Sequence, residues 1–320
     1  SVSTPLDSTR GRRQQRRKYR RDFVWAILMK LSPARRVLLL LALLLLFFGP
    51  VYLVIGILIL LGLLVLEVAD RVGMKRDLEI AREIQLWLLP TAPPAVPGAE
   101  LAFANLPANT VSGDFYDVFA RGDKFFLALA DVAGKGVPAA MLMATLHASL
   151  RSLAVQQLSL AELVPALNRF ACTNSMGGTR FTTAFLAEYD PARGELLYCN
   201  AGHNPPLLRR GAEFERLESG GVPLGLLPNA TFECATVAVR PEETLLIFSD
   251  GLTESFSPQG EEYGEARVRQ SLASNAVSLP ASVLLERVLA DCARFRADAR
   301  QQDDLTCLLL RRTAAESAST

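Results

Sequence analysis

Histidine and cysteine are scarce and scattered in this chain of 320 residues, which holds two of the first and five of the second. Cys172, Cys199, Cys234, Cys292 and Cys307 show no CxxC spacing, so the sequence offers neither a zinc-binding pattern nor a disulfide framework. They read as reduced, buried thiols of a cytosolic body. There is no obvious Ser-His or Cys-His pair, so a histidine-activated nucleophile is not indicated. His147 falls in a predicted helix and reads as a packing or surface residue. His203, in Ala201-Gly202-His203-Asn204-Pro205-Pro206, reads as fixing a turn. Internal repeats are absent. Charge is absent from Val37 to Leu66, a run of 30 residues.

Hydrophobic residues make up 50% of the chain and mean hydropathy is +0.22, most of it contributed by that uncharged run. The formal net charge of +1 conceals an asymmetry. Ser1 to Arg36 carry eleven Lys/Arg against two Asp, net +9, which leaves −8 on the remainder. A basic head on an acidic body argues against nucleic acid as a partner and favours anionic lipid beside the head.

Residues 1–22 are polar and Arg-rich, a composition that does not build a core. A membrane region of 23–66 follows, opening with a short apolar piece, Phe23 to Leu31, that reads as interfacial. The run 37–66 would make a helix of roughly 45 Å, against a hydrocarbon core of about 30 Å. Gly49-Pro50 near its middle predicts a turn or kink. Arg35 and Arg36 precede the run, and Arg71, Lys75 and Arg76 follow it. The positive-inside rule then predicts a transmembrane helical hairpin with both ends cytoplasmic. The alternative is one kinked span with the body outside. No small-residue cleavage site follows the run, so a signal peptide is not indicated.

Residues 67–90 predict a charged connecting helix that Pro90 ends. Ile80, Ile84, Trp87 and Leu88 share one of its faces. This is either a spacer or a helix that pairs across a dimer and carries a signal. Thr91 to Gly98 is a Pro-rich linker. In 91–312 strands are expected near 101–106, 115–120, 124–132, 181–190, 195–201, 206–210, 235–239, 244–249 and 305–311. Helices are expected near 138–154, 160–174 and 281–296. Many strands around a few consecutive helices predict α+β layers; residues 313–320 are a tail.

Within that body an acidic pattern recurs at strand edges. Ser112-Gly113-Asp114-Phe115-Tyr116-Asp117 opens one strand. The apolar strand Lys124 to Val132 ends in Asp131 and is followed by Gly134-Lys135-Gly136 and a helix start at Pro138. The strand Thr244 to Ser249 stops at Asp250-Gly251, and Asp303-Asp304 leads into the last strand. An isolated Asp before Gly is most often a turn residue. Four at buried strand ends, without histidine or cysteine beside them, suit a hard cation such as Mg²⁺ or Mn²⁺. Lys135 reads as a solvated loop lysine, and no arginine can be assigned to bind phosphate.

In order, SGDFYD, ADVAGKGVPAAMLMA, FTTAFLAEYD, YCNAGHNPPLLRR, GVPLGL, LLIFSDGLTE and DDLT resemble the metal-dependent PPM (type 2C) Ser/Thr protein phosphatases, in their bacterial SpoIIE/RsbU branch. AREIQLWLLP resembles the helix that enters this domain there. The resemblance covers about residues 75–312 and not the membrane segment. It implies a PPM-type β-sandwich flanked by helices, with two Mn²⁺ or Mg²⁺ ions at one edge. By motif, Asp131 resembles the carboxylate bridging both metals, Val132 a backbone-carbonyl ligand, and Asp250 and Asp303 the ligands of the second metal. Asp114 resembles the acidic residue that holds metal-bound water. Asp304 is a turn or supporting group, and Asp117 is left unassigned.

The resemblance further implies a bacterial signalling phosphatase at the cytoplasmic membrane. Its substrate would be a phosphorylated anti-sigma-factor antagonist of the STAS type in a partner-switching pathway. It also implies a homodimer through residues 67–89. The rivals are a pseudo-phosphatase that binds the partner without turnover and a membrane scaffold that binds no metal. PAS, GAF, HAMP and receiver segments are not recognisable, so the input signal is not readable.

Overall fold

The computed structural model describes residues 31–174 and 180–314, with Asp22, Trp25 and Met29 before them. The basic head through residue 21 and most of the apolar piece 23–31 lie outside the described residues, as do 175–179 and 315–320. The chain divides into two units, Ser1–Asp77 and Leu78–Thr320.

In the first unit, helix α1 (Pro33–Leu45) starts on a Ser32 cap whose side chain accepts the Arg35 N–H, with Pro33 at the first position. The chain turns through residues 46–49, and helix α2 runs from Pro50 to Leu88. The two arms touch through small residues: a Cβ on Gly56 would stand 2.8 Å from the Ala42 carbonyl oxygen, and Ala42 is buried. Arg35 at the start of α1 pairs with Asp70 of α2 at 2.6 Å. The turn falls where Gly49-Pro50 predicted it.

Two expectations change here. The charged connecting helix is not a separate element, because α2 continues without a break from the apolar run into residues 67–88. The residues from Leu66 to Leu88 contain neither proline nor a capping glycine at which to stop. Furthermore, α1 has 13 residues, about 20 Å, too short for a core of about 30 Å. Among the described residues, α2 is the one helix long and apolar enough to cross a membrane.

The second unit is a β-sandwich between two layers of helix. One sheet has the order β1 (Ala99–Leu106), β11 (Leu305–Arg312), β10 (Thr244–Phe248), β6 (Leu207–Arg210), β7 (Glu213–Arg216). The other runs β2 (Phe115–Arg121), β3 (Lys124–Val132), β4 (Thr182–Asp190), β5 (Glu195–Ala201), β8 (Gly220–Gly221), and β9 (Ala235–Ala238) also pairs with β5. Helices α3 (Val137–Val155) and α4 (Leu160–Asn174) cover the second sheet. Helices α6 (Gly264–Ala273) and α7 (Ala281–Arg296) cover the first, and α5 (Asp250–Thr253) is a single turn after β10.

The pleat distributes each central strand between two cores. Phe125, Leu127 and Leu129 of β3 meet Leu245, Ile247, Leu308 and Leu310 between the sheets. Phe126, Ala128, Ala130 and Val132 face Met143, Leu146, Leu163 and Leu167 of α3 and α4. Leu305, Cys307 and Leu309 of β11 pack instead on Leu284, Val288 and Cys292 of α7. Both faces of these strands are apolar, so their sequences are continuous hydrophobic runs without alternation. The short β7 and β8, and α5 and α6, were not anticipated; α6 offers only Val268 and Leu272 as an apolar stripe.

Candidate metal centre

Strand register brings the acidic positions to one end of the sandwich. β2 and β3 are antiparallel with Phe115 opposite Ala130, so Asp114 and Asp131 stand at neighbouring strand ends. β10 and β11 pair Phe248 with Cys307, and Ser249 N–H donates to the Thr306 carbonyl at 2.9 Å. Asp250 and the Asp303-Asp304 pair therefore adjoin in the other sheet. The Ser249 hydroxyl donates to the Asp304 carbonyl at 3.1 Å and accepts the Thr306 N–H at 2.9 Å, which ties these strand ends together. Gly113 lies over the end of β3, where a Cβ would come within 3.1 Å of the Val132 carbonyl oxygen. That carbonyl is the expected backbone ligand, and glycine permits the approach.

These carboxylates act on one another electrostatically. Asp114 is 1% exposed. Burial, reinforced by the charge of Asp131, holds its pKa well above the usual carboxylate range. Burial is also the first cause that pushes Asp131 up to about 6; Asp303 and Asp304 add to it, while hydrogen bonding with Asp114 and the charge of Lys135 oppose it. Asp250 is pushed up to about 7 by burial, then by Asp131 and Asp303. The Asp114 Oδ2 atom is buried without a hydrogen-bond partner.

Among the described residues, no three His, Cys, Asp or Glu side chains are gathered within the ligand spacing of a single ion. The donor set nonetheless fits a hard divalent cation. It consists of oxygens only, it concentrates negative charge that Lys135 offsets only in part, and it leaves one buried carboxylate oxygen unsatisfied.

Lys135 is not simply solvated. Its ammonium lies 2.8 Å from Asp303 Oδ2 and donates to the Gln302 carbonyl at 2.6 Å. Asp303 Oδ1 in turn accepts the Asp304 N–H at 3.0 Å. Asp304 supports the site from behind: its carboxylate accepts from Ala108 N–H (2.7 Å), Ser112 Oγ (2.9 Å) and Gly113 N–H (2.8 Å). Arg180, which no sequence signal singled out, donates to the Ala133 carbonyl at 3.1 Å and so borders the same loop. A groove of about 760 Å³, lined by Arg82, Asn109, Lys135 and Arg300 among others, opens beside it.

The remaining candidates lie elsewhere. Asp117 has no exposure and is pinned by Arg151 and by His147 Nε2 at 2.8 Å, so it joins β2 to α3 and not to the cluster. His203 is buried, with Nδ1 2.9 Å from Thr183 Oγ1, and its backbone N–H donates to Asn200 Oδ1 at 2.7 Å. Burial pushes its pKa down to about 4, so the ring is neutral at pH 7.

A helix-flanked β-sandwich with a carboxylate cluster at one end defines a fold of the PP2C class. The SiaA-PP2C domain of Pseudomonas aeruginosa superposes on it with a TM-score of 0.68 at 22% identity, over 76% of this chain and 98% of that one. The chain belongs to the Stage II sporulation protein E (SpoIIE) family, which matches residues 121–313 and so includes Asp131, Asp250 and Asp303. Protein IcfG of Synechocystis sp. (strain ATCC 27184 / PCC 6803 / Kazusa) is 32% identical over 237 residues, 65% of this chain and 37% of that protein. Phosphoserine phosphatase RsbU of Bacillus subtilis (strain 168) is 27% identical over 241 residues, 75% of this chain and 71% of that protein. The chain thus spans little more than a third of the first relative's length.

Proposed function

We propose that this protein is a membrane-anchored, metal-dependent phosphoserine/phosphothreonine protein phosphatase. The observation that carries the reading is the set of mutually repelling carboxylates at one end of a PP2C-type sandwich, with the Asp114 Oδ2 atom buried and unsatisfied. Asp131, Asp250 and Asp303, with the Val132 carbonyl, would hold two Mn²⁺ or Mg²⁺ ions. When bound, such a pair acidifies a water and offsets the charge of the phosphoryl group.

The chain's own residues do the rest. Asp114 Oδ2 is available to accept a hydrogen bond from the attacking water. Asp304 fixes the Ser112-Gly113 turn that carries Asp114. Lys135 stands ready beside Asp303 to meet an anionic phosphoryl group. Among the described residues, neither histidine is free to activate a side-chain nucleophile. His147 is engaged with Asp117 and His203 with Thr183. Burial pushes the Cys199 thiol up to about 12, far from a reactive thiolate.

RsbU, the relative called a phosphoserine phosphatase, supports a phosphorylated regulatory protein as substrate, and the motif order supports a STAS-type anti-sigma-factor antagonist. Helix α2 supports a membrane anchor. Its exposed Ile80, Ile84 and Trp87 support pairing with a second copy.

The test is hydrolysis of p-nitrophenyl phosphate by the full chain in detergent, titrated with Mn²⁺. Asp131→Asn and Asp250→Asn each remove an anionic ligand while keeping the side-chain shape. Both should lower kcat at least 100-fold with the circular dichroism spectrum unchanged. Full activity in both variants would sink the site assignment, and a wild type that binds Mn²⁺ but never turns over would favour a pseudo-phosphatase.

A further inference from the structure

Five free thiols are spread over the body, and two of them meet across a strand pair. β5 and β9 are antiparallel, with Glu195 opposite Ala238 and Tyr198 opposite Ala235. One step further, the same register sets Cys199 opposite Cys234. Both neighbours of Cys234 are fixed. Ala235 pairs with Tyr198, and Glu233 N–H donates to the Gly220 carbonyl at 3.0 Å, where β8 takes over the edge of β5. Residues directly opposite on antiparallel strands send their side chains to the same face. Here that face is the core under α3 and α4: Cys199 is buried in it and Cys234 packs against it. Burial raises both thiol pKa values, Cys199 to about 12, and Cys234 is the next cause of that rise.

Opposed residues of this kind have Cα atoms about 4.5–5.5 Å apart, inside the range of about 4.4–6.8 Å that a disulfide spans. The two thiols differ in access, since Cys199 is buried and Cys234 is half-buried. Cys292 of α7 and Cys307 of β11 share a different core. Both of those are buried, which leaves an oxidant no sulfur to reach. Only the Cys199–Cys234 pair combines an opposed partner with an accessible sulfur.

We propose that Cys199 and Cys234 form a reversible redox-modification site that reacts with small-molecule disulfides and, once oxidised, fastens β9 to β5. The Cys234 sulfur attacks one sulfur of a disulfide such as oxidised glutathione, and one small thiol leaves. The Cys199 sulfur then attacks Cys234, and the second small thiol leaves. Each protein thiol passes its proton to the thiolate that departs. Two protein thiols become one disulfide and one small disulfide becomes two thiols, so protons and electrons balance. Neither protein thiol ionises readily at pH 7, so the exchange is slow and its equilibrium is the readout. The loop 222–234 is already held at its near end, where Leu224 and Thr182 exchange two backbone hydrogen bonds at 2.8 Å and Asn168 Oδ1 accepts the Gly225 N–H at 3.0 Å. The disulfide ties its far end as well.

The test equilibrates the full chain in nanodiscs with oxidised glutathione at mildly alkaline pH, in the absence of oxygen. Remaining thiols are then blocked with N-ethylmaleimide in denaturant and the digest is read by mass spectrometry. More than half of the molecules should carry a peptide linked through Cys199 and Cys234 that a reducing agent separates, while Cys292 and Cys307 stay reduced. Oxidation should also raise the melting temperature by roughly 5 °C and slow amide exchange over 222–234 about tenfold. Cys234→Ser, a small change at a half-buried position, should show neither shift. Linkage in half of the molecules or fewer overturns the inference, as does glutathione left on Cys234 beside a free Cys199. A linked protein that melts and exchanges like the reduced one overturns the fastening of β9. None of these readouts involves catalysis, so the outcome stands apart from the functional reading above.

Discussion

Asp117 shows how one motif divides its residues between tasks. In SGDFYD it lies three positions after Asp114, yet the pleat turns it toward α3, where Arg151 and His147 enclose it and Asp114 turns into the cluster. Arg151 also lies over the Phe119 ring, 4.1 Å from its centroid. Removing this cation leaves a fully buried carboxylate with a histidine alone for company. Breaking such a pair costs about 3–5 kcal/mol when both partners are buried, and the guanidinium is 42% exposed. We therefore expect Arg151→Met to destabilise the body by about 2 kcal/mol, seen as a melting point lower by roughly 5 °C. Asp117→Asn, which removes the buried charge itself, should cost less. Mn²⁺ affinity should stay within twofold in both variants; a tenfold loss would place Asp117 in the metal centre after all.

At the scale of elements, the sequence was legible wherever a strand is buried on both faces. β2, β3, β5, β10 and β11 are found within a residue or two of their expected limits, because continuous apolar runs end sharply at Asp, Gly or Pro. The four aspartates were legible for the same reason, since each interrupts such a run. Arg180 and the Lys135–Asp303 contact were not, because their partners are 47 or more residues away and no local spacing encodes a tertiary hydrogen bond. The continuity of α2 was hidden by the change from apolar to charged composition, which alters its surroundings and not its helicity. That helix leaves Ile80, Ile84 and Trp87 uncovered by the body, so the choice between packing on itself and packing on a second copy favours the second. Ile84→Asp should convert a dimer into a monomer by multi-angle light scattering at tens of micromolar and lower kcat several-fold. A wild type that is monomeric at that concentration, or a mutant equal to it in both measurements, makes the stripe a spacer.

For the whole molecule, a membrane-spanning α2, as proposed above, would hold the sandwich to one side of a bilayer. Charge gives one answer: Arg35 and Arg36 precede the apolar run, and Arg71, Lys75 and Arg76 follow it, so both ends favour the cytoplasm. The contact of Ala42 with Gly56 and the Arg35–Asp70 pair fold α1 back along α2, as a hairpin requires. Length gives a different answer, since 13 residues of α1 reach only about 20 Å. A hairpin can satisfy both if the first arm enters the bilayer only partway, or thins it locally at a cost of a fraction of a kcal/mol per Å of mismatch. We therefore expect reporter fusions at Ser3 and at Ser319 both to signal cytoplasm. A periplasmic signal at Ser319 with a cytoplasmic one at Ser3 would establish a single kinked span, place the sandwich outside, and remove cytoplasmic phosphoproteins from its reach.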